Sequence, residues 1–353
     1  MHILIATDAW HPQVNGVVHS LEAMADAARQ VGARIDFLTP DGFRTLPMPT
    51  YREIRLSLIG ARTAARKLAE LNPDHVHIAT EGPLGLAMRR ACIRAGRRFT
   101  TSYHTRYPEY ISARAPIPER LVYAWLRWFH NAGSGIMVST RSIASDLEAR
   151  GFHNLMFWSR GVNHGLFHPR TEPKLDFPRP LFLYAGRVSV EKNIEAFLAL
   201  DLPGTKVVAG GGPALLQLQA AYPEVKFLGN QTSQALAEIY PCADVFVFPS
   251  RTDTFGIVLL EAMASGLPVA AYPVPGPLDV VGESGAGVLD ADLRKACLKA
   301  LDIAREIPLA HAAQFTWAAS ARQFLDNVAG VVAAGPALAK KRHFLFGRQP
   351  VKP

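Results

Sequence analysis

The chain has 353 residues, 49% hydrophobic and 19% charged, with 27 glycines and 26 prolines. That composition excludes disordered, collagen-like and coiled-coil chains and leaves room for two domains with cores of their own. The net charge of +8 is uneven: residues 1–170 hold 21 Lys+Arg against 13 Asp+Glu, residues 171–353 hold 17 of each, and the last twenty carry five basic and no acidic residues. A cationic lobe thus precedes an acidic one with a basic tail, and the partner surface implied is acidic, either nucleic acid or anionic lipid.

The N-terminus, MHILIATD, has no charged-then-apolar leader, and no apolar run approaches the roughly 18 residues of a membrane span. A cytoplasmic protein is expected, with any membrane contact peripheral, on the inner face of the cell membrane. Cys92, Cys242 and Cys297 lie far apart without metal-ligand spacing, so neither a disulfide framework nor a metal site is expected.

Short apolar runs alternate with amphipathic stretches along the whole chain. In the first half they are HILIA (2–6), RIDFL (34–38), HVHIA (75–79), FTTSY (99–103), GIMVS (135–139) and LMFW (155–158), with helical patterns such as 17–31 and 60–71 between them. Residues 169–180 hold four prolines, which suit neither a helix interior nor a central strand, and read as a linker. The rhythm restarts with LFLYAG (181–186), KVVAG (206–210), VKFLG (225–229), DVFVFP (244–249), PVAAY (268–272) and AGVLD (286–290). The reading is α/β: two doubly wound Rossmann-like domains, 1–168 and 181–333, facing across a cleft, with the last helix able to cross back and a basic tail over 334–353. Ligands in such sheets bind at the carboxyl ends of the strands.

The first strand does not lead into G-x-G-x-x-G. Its turn, Thr7 to Val17, carries the single glycine Gly16, and no Walker A sequence occurs, which demotes dehydrogenases and P-loop NTPases. Gly16 either lets backbone approach a phosphate or sugar at a helix start or is a plain loop glycine.

The second domain holds the chemistry. Gly186 ends a strand, and Arg187 and Lys192 follow on a loop opening a helix, where a planar fork and a point charge can clamp a diphosphate. The cluster Gly210-Gly211-Gly212-Pro213 lets backbone pass close to a ligand. In the segment 248–269 a buried strand feeds a polar turn, and a helix begins near Gly256. Asp253 stands where it could cap that helix. Glu261 sits inside an apolar helix, where an unpaired carboxylate is costly, so it needs a partner, either a ribose diol or a protein cation. The N–H groups of Phe255, Gly256 and Ile257 suit a phosphate or sugar oxygen.

The segment 253–261 resembles the acidic-x7-Glu motif of retaining, nucleotide-sugar-dependent glycosyltransferases of the group 1 family, which have the GT-B fold, and AMASGLPV is similar to its usual continuation. NGV, SYHTRYPEY, AGRVSVEKN and GGGP stand in the family's order. TDTFG together with YHT and ATEGPLG most resembles the bacterial enzymes that glycosylate diacylglycerol or phosphatidylinositol lipids.

The resemblance implies roles by position. Arg187 and Lys192 would hold the donor diphosphate, Glu261 the ribose, and Asp253 the sugar hydroxyls. Thr254, Phe255, Gly256 and Ile257 would line the donor with Gly186, Gly211 and Gly212. His104 would lie near the sugar and Gly16 near the phosphate or the acceptor. It further implies front-face transfer with retention, a nucleotide-sugar substrate with a UDP-sugar favoured over GDP-mannose, a lipid hydroxyl as acceptor, and no cofactor or metal. One departure stands out: the first acid of the motif is usually Glu, and here it is the shorter Asp253.

On the residues alone, His104 ends a strand at the site-bearing edge, whereas His75 and His77 lie within a strand and receive no role. Residues 51–71 place Arg52, Arg55, Arg62, Arg66 and Lys67 among leucines, and residues 118–130 place Trp125, Trp128 and Arg127 together. These basic, aromatic patterns suit an anionic membrane surface or are solvated helix faces. Lys340, Lys341 and Arg342 could add to them. A soluble or polysaccharide acceptor and a sugar-nucleotide epimerase remain as alternatives. Nucleic acid is not expected as a partner, because no binding motif for it occurs and the acidic lobe holds the motif residues.

Overall fold

A computed structural model describes residues 1–13, 16–47, 55–112, 117–170 and 174–335. Two parallel six-stranded sheets form its frame, and together they give the doubly wound α/β class that the alternating sequence implies. The first contains β1 (His2–Ala6), β2 (Arg34–Leu38), β5 (His75–Ile78), β6 (Phe99–Ser102), β7 (Gly135–Val138) and β8 (Leu155–Phe157), in the order β2-β1-β5-β6-β7-β8. Between β2 and β5, the short strands β3 (Thr45–Pro47) and β4 (Arg55–Ser57) pair antiparallel as a separate ribbon. The second sheet contains β9 (Leu181–Ala185), β10 (Thr205–Ala209), β11 (Lys226–Gly229), β12 (Val245–Phe248), β13 (Val269–Ala271) and β14 (Gly287–Leu289), in the order β11-β10-β9-β12-β13-β14.

The central strands β1, β9 and β12 are near-continuous apolar runs because helices cover both faces of each sheet. Successive residues point to opposite faces. Leu181, Leu183 and Ala185 of β9 enter one core and Phe182 and Tyr184 the other, while in β1 Ile3 and Ile5 part from Leu4 and Ala6 in the same way.

The described part of the proline-rich segment is packed against the second domain. Leu175 and Phe177 lean on its core, and the Pro178 carbonyl accepts a hydrogen bond from the Thr205 hydroxyl at 2.7 Å. The final helix, Trp317–Ala333, lies on the first domain, where Ala321, Phe324 and Val328 share a core with Ile3, Ile5, Leu21 and Met24. Its polar residues grip the end of β8: Trp158 Nε1 donates to Ser320 Oγ at 3.0 Å, and the Ser159 N–H donates to Gln323 Oε1 at 2.7 Å.

Asp8, just past β1, organises the loop after β5. Its carboxylate accepts from the N–H groups of Leu84 (2.8 Å) and Gly85 (3.1 Å) and from the Thr80 hydroxyl (3.0 Å), capping the helix Pro83–Arg94 from a distant segment. The approach is so close that a Cβ on Gly82 would lie 2.5 Å from Asp8 Cγ, which accounts for the first glycine in ATEGPLG. Asp8→Ala leaves those buried donors unpaired and should lower stability by about 1–3 kcal/mol, read as a shifted urea midpoint at unchanged m.

Candidate active site

Both sheets reverse strand order beside their first strand, and the loops that follow the flanking strands converge there. In the second domain β9 leads into Gly186-Arg187 and β12 into Pro249 through Asp253, so the two halves of the acidic–basic cluster come from the two sides of one crevice. Asn193 ties them together: it adopts φ 52° and donates from Nδ2 to the Pro249 carbonyl at 3.0 Å. The glycine cluster lies under the β9 loop, where a Cβ on Gly212 would sit 2.3 Å from the Val188 carbonyl oxygen.

Lys192 and Asp253 form a close ion pair, with both side chains largely withdrawn from solvent. Burial opposes the Lys192 ammonium, but Asp253, with Tyr110 and Tyr184 nearby, outweighs it and raises the pKa, so the cation persists at every working pH. The Oδ2 atom of Asp253 is buried and has no partner among the described residues, leaving one acceptor for a ligand hydroxyl. Asp253 does not cap the helix that follows, because its carboxylate is turned to Lys192. The helix Ile257–Ala264 is instead preceded by Gly256 at φ 83°, where a Cβ would press on the Phe248 ring at 3.0 Å. The side chain of Phe255 belongs to the core, so a ligand meets only backbone there.

Glu261 is 8% exposed, and its partner is the Tyr240 hydroxyl, which donates to Oε2 at 3.0 Å, rather than a protein cation. Burial pushes the carboxyl up to about 7 against that hydrogen bond. Nothing in the sequence pairs Tyr240 with Glu261. They lie on neighbouring segments, the turn Tyr240–Cys242 and the helix Ile257–Ala264.

The first domain closes on this cluster. The Thr254 hydroxyl donates to the His104 carbonyl at 2.7 Å, Ser139 Oγ donates to the Thr254 carbonyl at 3.3 Å, and the Ser142 N–H donates to Asp279 Oδ1 at 3.2 Å. A Cβ on Gly16, which opens the helix Gly16–Gln30, would lie 4.0 Å from Ile257 Cδ1, so two helix N-termini from different domains meet at one place. His104, Lys192, Asp253, Thr254, Gly256 and Ile257 thus gather at one seam, with Gly16 opposite and Glu261 deeper in the same helix. A largely withdrawn ammonium, an unpartnered carboxylate oxygen and converging helix N-termini suit an anionic, hydroxyl-rich ligand. Arg160, which the sequence does not single out, stands behind His104 and donates from Nη2 to its Nδ1 at 3.1 Å.

The basic surface residues lie elsewhere. Arg52 and the residues 336–353 fall outside the described residues. Arg55 is in β4, whereas Arg62, Arg66 and Lys67 are on the helix Ala61–Leu71, so residues 55–71 form a ribbon strand and a helix divided at Gly60 rather than one amphipathic element. Arg66 and Lys67 both reach Glu70 on that helix, which reduces their share of the positive surface. Trp125 and Trp128 are 39% and 50% exposed on the helix Glu119–His130, and Arg89 stacks 3.8 Å from the Trp128 ring centroid. His75 and His77 are buried in β5 and share the Thr100 hydroxyl, each at 2.9 Å.

Comparison with known proteins fits this geometry. The family described as "Glycosyl transferases group 1" matches residues 179–303, and "Glycosyltransferase Family 4" matches residues 14–166. A GDP-mannose-dependent α-mannosyltransferase of Mycobacterium tuberculosis is 29% identical over 82% of this chain and 83% of its own. An α-monoglucosyldiacylglycerol synthase of Streptococcus pneumoniae is 27% identical over 85% of this chain and 78% of its own. Among solved structures, sucrose-phosphate synthase of Thermosynechococcus elongatus superposes with a TM-score of 0.76 at 20% identity, covering 94% of this chain and 99% of that one.

Proposed function

The chain belongs to the group 1 glycosyltransferases, enzymes that draw on nucleotide-sugar donors and have the GT-B fold, and from that we propose that it moves a hexose, with retention, onto a lipid hydroxyl at an anionic membrane surface. The observation that carries the donor half is the cluster of Lys192, Asp253, Glu261 and the Gly256–Ile257 helix start at one crevice. Arg187 and Lys192 would neutralise the diphosphate as it leaves. Cations fixed in advance where charge develops supply much of the rate enhancement in transfers of this kind. Asp253 Oδ2 would accept from a sugar hydroxyl, and Glu261 would accept from the ribose diol.

Relatives named for GDP-mannose make GDP-mannose the first donor to try, ahead of the UDP-sugar favoured by the resemblance alone. The lipid acceptor is supported by a relative named for a diacylglycerol product and by two exposed tryptophans beside Arg127 on the cationic domain. Among the described residues no helix is long and apolar enough to cross a membrane. We propose a peripheral protein on the cytoplasmic face, held by the Trp125 and Trp128 rings at the headgroup level and by the charge of the first domain.

Incubating the purified protein with labelled GDP-mannose, UDP-glucose, UDP-galactose and UDP-glucuronate, each with diacylglycerol in vesicles, tests the reading. A labelled glycolipid is expected with one donor, and transfer confined to soluble acceptors would overturn the lipid assignment. Trp125→Ala combined with Trp128→Ala should weaken binding to vesicles containing phosphatidylglycerol by about tenfold or more, since each ring removes some 1–2 kcal/mol of apolar contact. Wild-type binding should weaken further as salt rises. Binding unchanged by both would sink the docking surface.

A further inference from the structure

Arg160 is 4% exposed and has no carboxylate partner among the described residues. Buried cations are normally paired, because an unpaired one away from water is costly. Its donors are used differently: Nη1 serves the carbonyls of Trp158 (2.7 Å) and Ser159 (3.2 Å), and Nη2 serves Nδ1 of His104 (3.1 Å). The guanidinium lies 4.1 Å from the centroid of the Trp158 ring. That ring is held in turn by the Ser320 hydroxyl and by Phe324, with ring centroids 5.1 Å apart. Ser320 Oγ also donates to the Ser159 carbonyl at 2.8 Å. The crossing helix therefore fixes the segment 158–160 from behind, and that segment aims the guanidinium.

A guanidinium carries only N–H donors, so Nδ1 of His104 is necessarily the acceptor. In the neutral ring the proton then resides on Nε2, which is buried and has no partner among the described residues. The main chain of the same residue is bonded to Thr254, so the ring is held at the seam with the donor-side loop. We propose that Arg160 is a positioning residue for the transfer: it holds His104 as the neutral Nε2–H tautomer, so that the site offers the transferred sugar a fixed hydrogen-bond donor and not a base.

The proposal rests on the glycosyl-transfer reading of the site. The surroundings favour the neutral ring. Burial comes first, and then Arg160, His77 from β5 and His130 from the helix Glu119–His130 all disfavour an imidazolium, holding the His104 pKa well below the usual histidine range. Glu81 is engaged with His130 at 3.0 Å. Protonated His104 would place a second unpaired cation against Arg160.

The tautomer can be read directly from nitrogen NMR of the full chain with labelled histidine, without any donor, His104 being assigned by its loss in His104→Gln. Wild type is expected to show protonated Nε2 and bare Nδ1 from pH 5.5 to 8. Arg160→Met should let His104 titrate or exchange tautomers and should lower kcat by about ten- to hundredfold, with an acid limb absent from wild type and little change in donor KM. Arg160→Lys, which keeps a cationic N–H donor, should recover part of the rate and carries the test if the Met variant does not fold. An imidazolium or an Nδ1–H tautomer in wild type at pH 7 overturns the proposal. So does a Met variant with an altered tautomer and an unaltered rate and pH profile. A wild-type protein that shows the tautomer yet transfers no sugar overturns the functional reading instead, which keeps the two failures apart.

Discussion

Asp253→Asn should lower the transfer rate by about two to three orders of magnitude while circular dichroism shows an intact fold. Two losses act together. The buried Oδ2, which has no partner among the described residues, ceases to be part of an anion that accepts strongly from a sugar hydroxyl. The Lys192 ammonium also loses its ion-pair partner, and without Asp253 the burial that already opposes its charge is no longer outweighed by that pair. Lys192 would then be less available to the leaving diphosphate. Breaking a fully buried pair costs about 3–5 kcal/mol, but these side chains retain 22% and 15% of their exposure, so the stability cost should be smaller.

The control is Asp253→Glu, which restores the charge and the acid usual in the family with a reach one methylene longer. A Glu variant that transfers sugar while the Asn variant does not would assign the effect to charge. An Asn variant within tenfold of wild-type kcat/KM would remove Asp253 from the site.

The strands were legible because of how they are covered. The central strands β1, β9 and β12 are apolar and buried over four or five residues; the runs read from sequence at 2–6 and 34–38 coincide with β1 and β2, and the run at 181–186 ends one residue past β9. The ribbon of β3 and β4 was not legible: its three-residue strands carry no period, and Pro47 and Arg55 stand opposite one another. The loops bearing Arg187, Lys192 and Asp253 stood out because charged residues directly after buried strands are recognisable in sequence. Their partners could not. Tyr240 is 21 residues from Glu261, Asp8 is 76 from Leu84, and Arg160 is 56 from His104. The contacts of Asp8 and Arg160 exist because the parallel order of the sheet brings distant strand ends together, and Tyr240 meets Glu261 because the helix after β12 folds back beside the turn before it. The break at Gly60 was legible, since the sequence shows a helical pattern over 60–71 and the helix runs Ala61–Leu71, whereas the short strand Arg55–Ser57 before it was not.

Glu261→Gln should make the protein more stable and a poorer enzyme, with the two effects separated by pH. Burial holds the Glu261 carboxyl near 7 in the folded chain against an ordinary 4.5. Because the folded value is the higher one, the unfolded chain loses its proton first as pH rises, and stability falls between about pH 4.5 and 7. Above that window the deficit is complete, on the order of 3 kcal/mol. Glutamine keeps an acceptor for the Tyr240 hydroxyl and has no charge to bury. It should therefore match wild type at pH 4.5 and melt several degrees higher at pH 8.

Donor affinity should move the other way. A ribose diol donates more strongly to a carboxylate than to an amide or a carboxylic acid, so wild-type affinity for the nucleotide should rise over the same window, and Gln should cost about ten- to hundredfold at pH 8. Melting curves and titration calorimetry with the nucleoside diphosphate alone, at both pH values, measure the two slopes. A wild-type-to-Gln difference in stability that is flat in pH would mean that Glu261 is already ionised and matched in the empty site. A flat difference in affinity would mean that the ribose lies elsewhere. Slopes of opposite sign would identify Glu261 as a group kept at a cost to the fold because its ionised form is the one that holds the donor.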